Sequence, residues 1–226
     1  MSGKIDVLGI QLDDCTAKDA IKEVAGYIKE EAVNLVEVVT AKSVMRMTLN
    51  EDGDRKIDEM DLVLPGDRAL LEAAEIKDER LLKEAEQKGF VKLLFQYLHK
   101  NKSSVFLLAD TLEEVKKLNS YLEREYHHIQ VKGMTALSED VLSEEMLINR
   151  INGSEAECIL ASVTSDKQES FICRCRRVLN VRLWVGINGT EVFCDTNKSW
   201  KQRVLWTVNG RILKRKAIQE KKRRNA

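Results

Sequence analysis

Apolar residues along this chain fall into short blocks whose period switches between two and about 3.6, the signature of strands alternating with helices. Val7, Leu8 and Ile10 read as a first short strand. Thr16 then caps a helix carrying Ala17, Ile21, Val24, Ala25 and Ile28. Leu35 to Val39 is a strand ending at Thr40, and a helix with Val44, Met47 and Thr48 follows from about Ser43. Leu62 to Leu64 is a strand stopped by Pro65-Gly66, with Asp67 just beyond it. Arg68 to about His99 reads as largely helical with one break near Gly89. Its stripe of Phe90, Leu93, Leu94, Tyr97 and Leu98 is expected to pack inward. Val105 to Ala109 is the next strand, and Thr111 with Glu114 opens a helix through Val115, Leu118 and Leu122. Ile129 to Val131 reads as a strand, and Glu139 to Asn152 as a helix.

The most informative stretch is Glu157 to Glu169, ECILASVTSDKQE. Ile159 to Val163 is a buried strand, and Ser165 with Gln168 caps the helix that runs to about Val178. A strand from Val181 to Ile187, a turn at Asn188-Gly189 and a last helix capped by Ser199 and Gln202 complete the chain. Strands alternating with helices at this spacing predict βαβ units, hence an α/β fold with a mostly parallel sheet and helices on both faces. One such domain over 1–196 is expected, with a helical, basic C-terminal appendage over 197–226.

In an open parallel sheet, ligands sit beyond the carboxyl ends of the strands. Those ends are Thr40, Gly66-Asp67, Ala109-Asp110, Thr164 to Gln168 and Asn188-Gly189, each polar or small. Turn chemistry alone also favours such residues, and no dinucleotide fingerprint, Walker loop, GxSxG or HExxH is present.

Composition narrows the classes. Of 226 residues 43% are hydrophobic and 33% charged, enough apolar content for a folded core. A single proline and 11 glycines suit long helices more than an all-β chain. No apolar run approaches the roughly 18 residues that span a bilayer, and MSGKIDVLGI lacks a signal peptide's apolar region. The five cysteines, Cys15, Cys158, Cys173, Cys175 and Cys194, form no CxxC pair. His99, His127 and His128 show no ligand spacing, so no metal site and a reduced cytoplasmic setting are expected. Net charge is zero, yet residues 211–226 carry +7. Lys221, Lys222, Arg223 and Arg224 in that tail are candidates for contact with anionic lipid; without interleaved aromatics, nucleic acid is not an expected partner.

Several segments together resemble the TagA/WecG/CpsF family of bacterial glycosyltransferases. VLGIQLDDCTAKDAI resembles its opening strand and helix, and VEVVTAKSVMRMTLNEDGDRKIDEMDLVLPGDRALL its Thr-x-Asn turn and Pro-Asp-Gly loop. SVFLLADTLEEVKKLNSYLEREYHHIQVKG resembles the family's nucleotide-side βαβ unit. INGSEAECILASVTSDKQESFICRCRRVLNVRLWVGINGT resembles its signature, most specifically at Asp166-Lys167-Gln168-Glu169 with Ile151-Asn152 upstream. The resemblance implies a Rossmann-like fold and transfer of an N-acetylhexosamine-type sugar from a UDP-sugar to a polyprenyl-linked acceptor. It implies no metal and no other cofactor, and work at the inner face of the cell membrane in cell-surface polysaccharide or teichoic acid synthesis. On this reading Asp67 is the catalytic base and Thr40 an acceptor or donor contact. Lys42, Gly66, Ala109, Asp110, Thr164, Ser165, Gln168, Asn188 and Gly189 are the substrate-binding positions. Partners would include a second copy or a related glycosyltransferase.

The chain also departs from the family pattern. Thr-x-Asn becomes Thr40-Ala41-Lys42, and Pro-Asp-Gly becomes Pro65-Gly66-Asp67, which moves the carboxylate one position on. Ala109-Asp110 replaces a glycine pair, and Thr164-Ser165-Asp166 replaces Gly-x-Pro. These changes define an alternative: a pseudoenzyme that keeps the fold and serves a related glycosyltransferase as partner or regulatory subunit.

Overall fold

A computed structural model describes residues 3–7, 9–49, 56–137, 143–163 and 171–187. The chain opens with an antiparallel hairpin, β1 (Gly3–Val7) and β2 (Ile10–Asp14). The sequence pattern shows only one strand there. The reversal falls at Gly9, whose φ of 83° is open to glycine at little steric cost and whose N–H donates to Asp6 Oδ1. Helix α1 (Ala17–Tyr27) follows, capped by Thr16 as its hydroxyl predicts.

Six strands then build one parallel sheet in the order β4-β3-β8-β7-β5-β6. They are β3 (Asn34–Val39), β4 (Leu62–Pro65), β5 (Ser104–Ala109), β6 (Gln130–Ala136), β7 (Cys158–Ser162) and β8 (Leu183–Gly186). Every pairing within this sheet is parallel, as the βαβ pattern requires. The connecting helices are α2 (Ala41–Leu49), α3 (Arg68–Ala73), α4 (Glu79–Glu86), α5 (Gly89–Asn101), α6 (Leu112–Glu125) and α7 (Glu144–Gly153). A further helical stretch covers 171–175.

Alternation along the strands feeds two separate cores. Val36, Val38, Leu107, Leu160 and Val185 point to one face, packed with Ala20 and Val24 of α1, Leu94 and Leu98 of α5, and Leu118 of α6. Leu35, Val39, Phe106, Ile159 and Trp184 point to the other, against the hairpin, α2, α3, α7 and Ile172. Burying a Leu or Val side chain contributes about 1.5–3 kcal/mol, which explains why β3, β7 and β8 expose no residue. The edge of β4 is covered by β2: Asp13 accepts from Val63 N–H at 2.9 Å and pairs with Lys4 at 2.7 Å.

Some boundaries differ from the sequence reading. The stretch from Arg68 to His99 contains three helices rather than one broken once. Glu75 and Lys88 take left-handed backbone at φ 61° and 57° between them. Helix α2 begins at Ala41 rather than near Ser43, because Thr40 caps it, its hydroxyl accepting from Ser43 N–H. Strand β6 runs to Ala136, and α7 starts at Glu144, capped by Ser143. Phe90, Leu94 and Leu98 are buried as expected, with Leu93 and Tyr97 only partly so.

Candidate active site

The sheet has a direction, and its two edges are built differently. At the amino edge, side chains stitch backbone to backbone. Arg176 donates to Val33 O at 2.9 Å and pairs with Asp61 at 2.7 Å, while Asp61 accepts from Leu35 N–H at 2.8 Å. Asn152 donates to Val178 O at 2.8 Å and accepts from Asn180 N–H at 2.7 Å, fastening α7 to the approach to β8. The Ile151-Asn152 pair of the signature thus has a structural role, with Ile151 fully buried.

At the carboxyl edge, Thr40, Gly66 and Asp67 meet. Thr40 Oγ1 accepts from Ser43 N–H at 3.2 Å, and Ser43 Oγ accepts from Thr40 N–H at 2.8 Å, a reciprocal cap that starts α2. Asp67 is 5% exposed and bridges two helices. One carboxylate oxygen accepts from Leu70 N–H at 2.9 Å, capping α3, and the other from Ala41 N–H at 3.1 Å, tying down α2. Gly66 sits in the seam between β3 and β4. A Cβ there would lie 2.9 Å from Val38 Cγ1, 2.9 Å from Val39 O and 3.0 Å from Thr40 Cγ2. An acidic side chain therefore has no room at position 66 in this packing, and the carboxylate stands one residue on, at the helix cap. Lys42 is exposed in the first turn of α2.

Lys88, which sequence reasoning passed over, sends its ammonium to Gly66 O. It lines a shallow cleft with Cys15, Pro65, Glu84 and Phe90. Burial and the nearby Asp13 push the Cys15 thiol up to about 11, so it stays protonated there at neutral pH. The cleft touches the strand ends through Pro65 and Gly66; Thr40 and Asp67 lie outside its lining.

The second cluster is at β5 and β7. The connection leaving β5 runs to β6 at the sheet edge, whereas the connection leaving β7 runs the opposite way to β8. Adjacent strands whose onward connections diverge define a switch point, where a crevice opens. Ala109 is buried there, Asp110 is half-buried, and Thr111 with Glu114 forms the expected capping box at the start of α6. Ser162, paired in register with Ala109, is 2% exposed, and its hydroxyl has no hydrogen-bond partner among the described residues. Its signal in the sequence is a lone hydroxyl inside the apolar run ILASV. Since β8 and β7 separate β3 from β5, the two clusters are about 14 Å apart at ordinary strand spacing. Thr164, Ser165, Gln168, Asn188 and Gly189 follow β7 and β8 but lie outside the described residues, as do Lys221, Lys222, Arg223 and Arg224.

A fully parallel sheet between helical layers, with polar strand ends along its carboxyl edge, defines a doubly wound α/β domain of Rossmann-like type. The chain belongs to the WecG/TagA/CpsF family of glycosyl transferases, whose model matches residues 5–196. It is similar to the N-acetylglucosaminyldiphosphoundecaprenol N-acetyl-beta-D-mannosaminyltransferases of Staphylococcus aureus strains NCTC 8325 / PS 47 and COL. Each is 21% identical over 200 residues, covering 87% of this chain and 78% of the relative. The protein of that name from strain MRSA252 is 20% identical over the same span. Among the described residues no helix is long and apolar enough to cross a membrane.

Proposed function

We propose that the chain transfers an N-acetylhexosamine-type sugar from a UDP-sugar to a polyprenyl-linked acceptor, in cell-surface polysaccharide or teichoic acid synthesis. The observation that carries this is a family match spanning 5–196, every described strand end included. The relatives' name supports it, since it describes mannosaminyl transfer to a lipid diphosphate that already bears N-acetylglucosamine.

In the proposed reaction an acceptor hydroxyl oxygen attacks the anomeric carbon of the donor sugar. The bond to the diphosphate breaks, and UDP leaves with its electron pair. Asp67 takes the hydroxyl proton, and its two backbone N–H partners hold the carboxylate in place for that task. Thr40 contacts donor or acceptor, and Lys42 contributes positive charge. The donor lies across the strand ends toward Ala109 and Asp110, where Thr164, Ser165, Gln168, Asn188 and Gly189 hold the nucleotide. N–H groups at strand-to-helix turns stabilise the departing diphosphate without a metal.

The proposed division is an α/β domain over 1–196 and a basic appendage over 197–226 that docks on the anionic inner face of the membrane. Four cations near such a surface contribute about 4 kcal/mol together. Replacing Lys221, Lys222, Arg223 and Arg224 by Gln is expected to release the protein from acidic liposomes at physiological salt.

The deciding experiment is calorimetric titration with UDP and UDP-N-acetylhexosamines, followed by transfer assays on lipid-linked acceptors with and without EDTA. Saturable micromolar binding that weakens in Gln168→Ala, with EDTA-insensitive transfer, supports the reading. No binding at millimolar UDP overturns it in favour of a subunit that assists a related enzyme.

A further inference from the structure

Three imidazoles that the sequence keeps apart meet at the amino edge of the sheet, opposite the strand ends described above. His99 lies in the last turn of α5, and His127 and His128 form the turn between α6 and β6. One nitrogen from each lies within 4.8 Å of the others. The His99 and His128 rings stack at 4.5 Å between centroids, and His127 stands edge-on to them at 5.1 and 4.3 Å. Tyr126 braces His99 from the side, with its ring 6.1 Å away. His127 and His128 are exposed and His99 is half-buried, so the group opens to solvent.

We propose that His99, His127 and His128 form a binding site for a divalent transition-metal ion of the zinc or nickel class. The donors decide the class. Imidazole nitrogen suits zinc, copper and nickel, whereas magnesium and calcium require oxygen ligands. No carboxylate belongs to the group among the described residues. Zinc–nitrogen bonds of 2.0–2.1 Å in a tetrahedron need nitrogens about 3.4 Å apart, a distance that two exposed side chains reach by rotation. Solvent fills the fourth position.

The electrostatics are mixed. Lys102 acts on His128 and opposes a second cation, but the same setting keeps the ring neutral. Desolvation, then His127, His99 and Lys102, hold His128 below its ordinary value, and the neutral ring is the form that ligates. The bond from the backbone N–H of His128 to His99 Nδ1 is long at 3.3 Å. It is given up at little cost when coordination through Nε2 moves the ring proton to Nδ1. A bound ion would clamp residues 29 apart in sequence, joining the end of α5 to the turn before β6. It would thereby stabilise the native state by mass action.

The test uses the full chain without a histidine tag, stripped with chelator and titrated with Zn²⁺, Ni²⁺ and Co²⁺. One equivalent of Zn²⁺ is expected to bind and raise the melting temperature, with no competition from millimolar Mg²⁺. His127→Gln and His128→Gln should each weaken binding about tenfold or more, with unchanged far-UV circular dichroism. His99→Gln provides a third variant. Co²⁺ is expected to give visible d–d bands without thiolate charge-transfer bands. Zinc binding that survives the His127→Gln/His128→Gln double change overturns the site, as do thiolate bands or the absence of saturable binding.

Discussion

The proposed reaction gives Asp67 a second job beside its two caps, and substitution separates them. In Asp67→Ala the cap of α3 is lost, which costs about 0.5–2 kcal/mol. The N–H of Ala41, a residue 2% exposed, loses its acceptor as well. An unsatisfied buried donor costs about 1–3 kcal/mol, so the expected loss is about 1.5–5 kcal/mol. For a domain of this size each kcal/mol moves the melting temperature by about 2–4 °C, giving a fall of roughly 3–20 °C. Asp67→Asn keeps one acceptor but turns an amide N–H₂ toward the other N–H, so it should fall between Ala and wild type. Urea unfolding at unchanged m-value measures these losses. An Asp67→Ala loss under about 1 kcal/mol would refute the capping arithmetic. Asp67→Asn also reads the chemistry when assayed well below its melting temperature. Removing a general base costs about 10²–10⁴ in rate. Transfer that falls only in step with the folded fraction would leave Asp67 as a cap and nothing more.

Gly66→Ala should destabilise by about 1–3 kcal/mol, the usual cost of overpacking. Val39 O cannot yield easily because it accepts Gly66's own N–H at 2.6 Å; a neutral outcome in urea unfolding would show that the seam is loose. Asn152→Ala removes the bonds to Asn180 N–H and Val178 O, both exposed and able to take water instead, so it should cost only about 0.5–1.5 kcal/mol, with transfer rate per folded molecule unchanged. In metal-free protein the His128 ring, facing His127, His99 and Lys102, has a folded pKa below its ordinary 6.5. The unfolded chain therefore binds the proton more readily, and stability should be lost as pH falls through the window just below 6.5. His128→Gln should flatten that slope, which chemical denaturation at stepped pH would detect.

What the sequence made legible was periodicity and punctuation. Parallel order, two helical layers and the polar strand ends all follow from runs such as LVEVV and CILAS, each closed by a turn. Thr16 and Thr111 capped as predicted because a cap is a contact over three residues. What stayed hidden depends on residues distant in the chain or on backbone sign. The hairpin needs left-handed Gly9, and the breaks at Glu75 and Lys88 need the same conformation from residues that rarely signal it. The histidine group needs the end of α5 beside the turn before β6. Asp67 was legible as an acid at a strand end, but its bond to Ala41 N–H spans 26 positions and leaves no local trace.

The order Gly66-Asp67 has a physical reading that joins fold to function. Helices α2 and α3 both begin at the carboxyl edge, and each start leaves N–H groups in need of acceptors. One buried carboxylate at position 67 serves both starts at 2.9 and 3.1 Å, and glycine at 66 lets the β3–β4 seam close beneath it. An acid at 66 would have to open that seam against Val38 and Thr40 before reaching any substrate. With glycine at 66 and the acid at 67, this corner keeps a carboxylate whose shown work is architectural, and the proposed chemistry would have to be done from the cap. A Gly66→Asp/Asp67→Gly double variant isolates that trade. It removes both caps and crowds the seam, so it should melt well below wild type. If its transfer rate per folded molecule nevertheless exceeds wild type, position 66 is the productive place for the base; if the rate falls, the carboxylate at 67 carries the reaction from its cap.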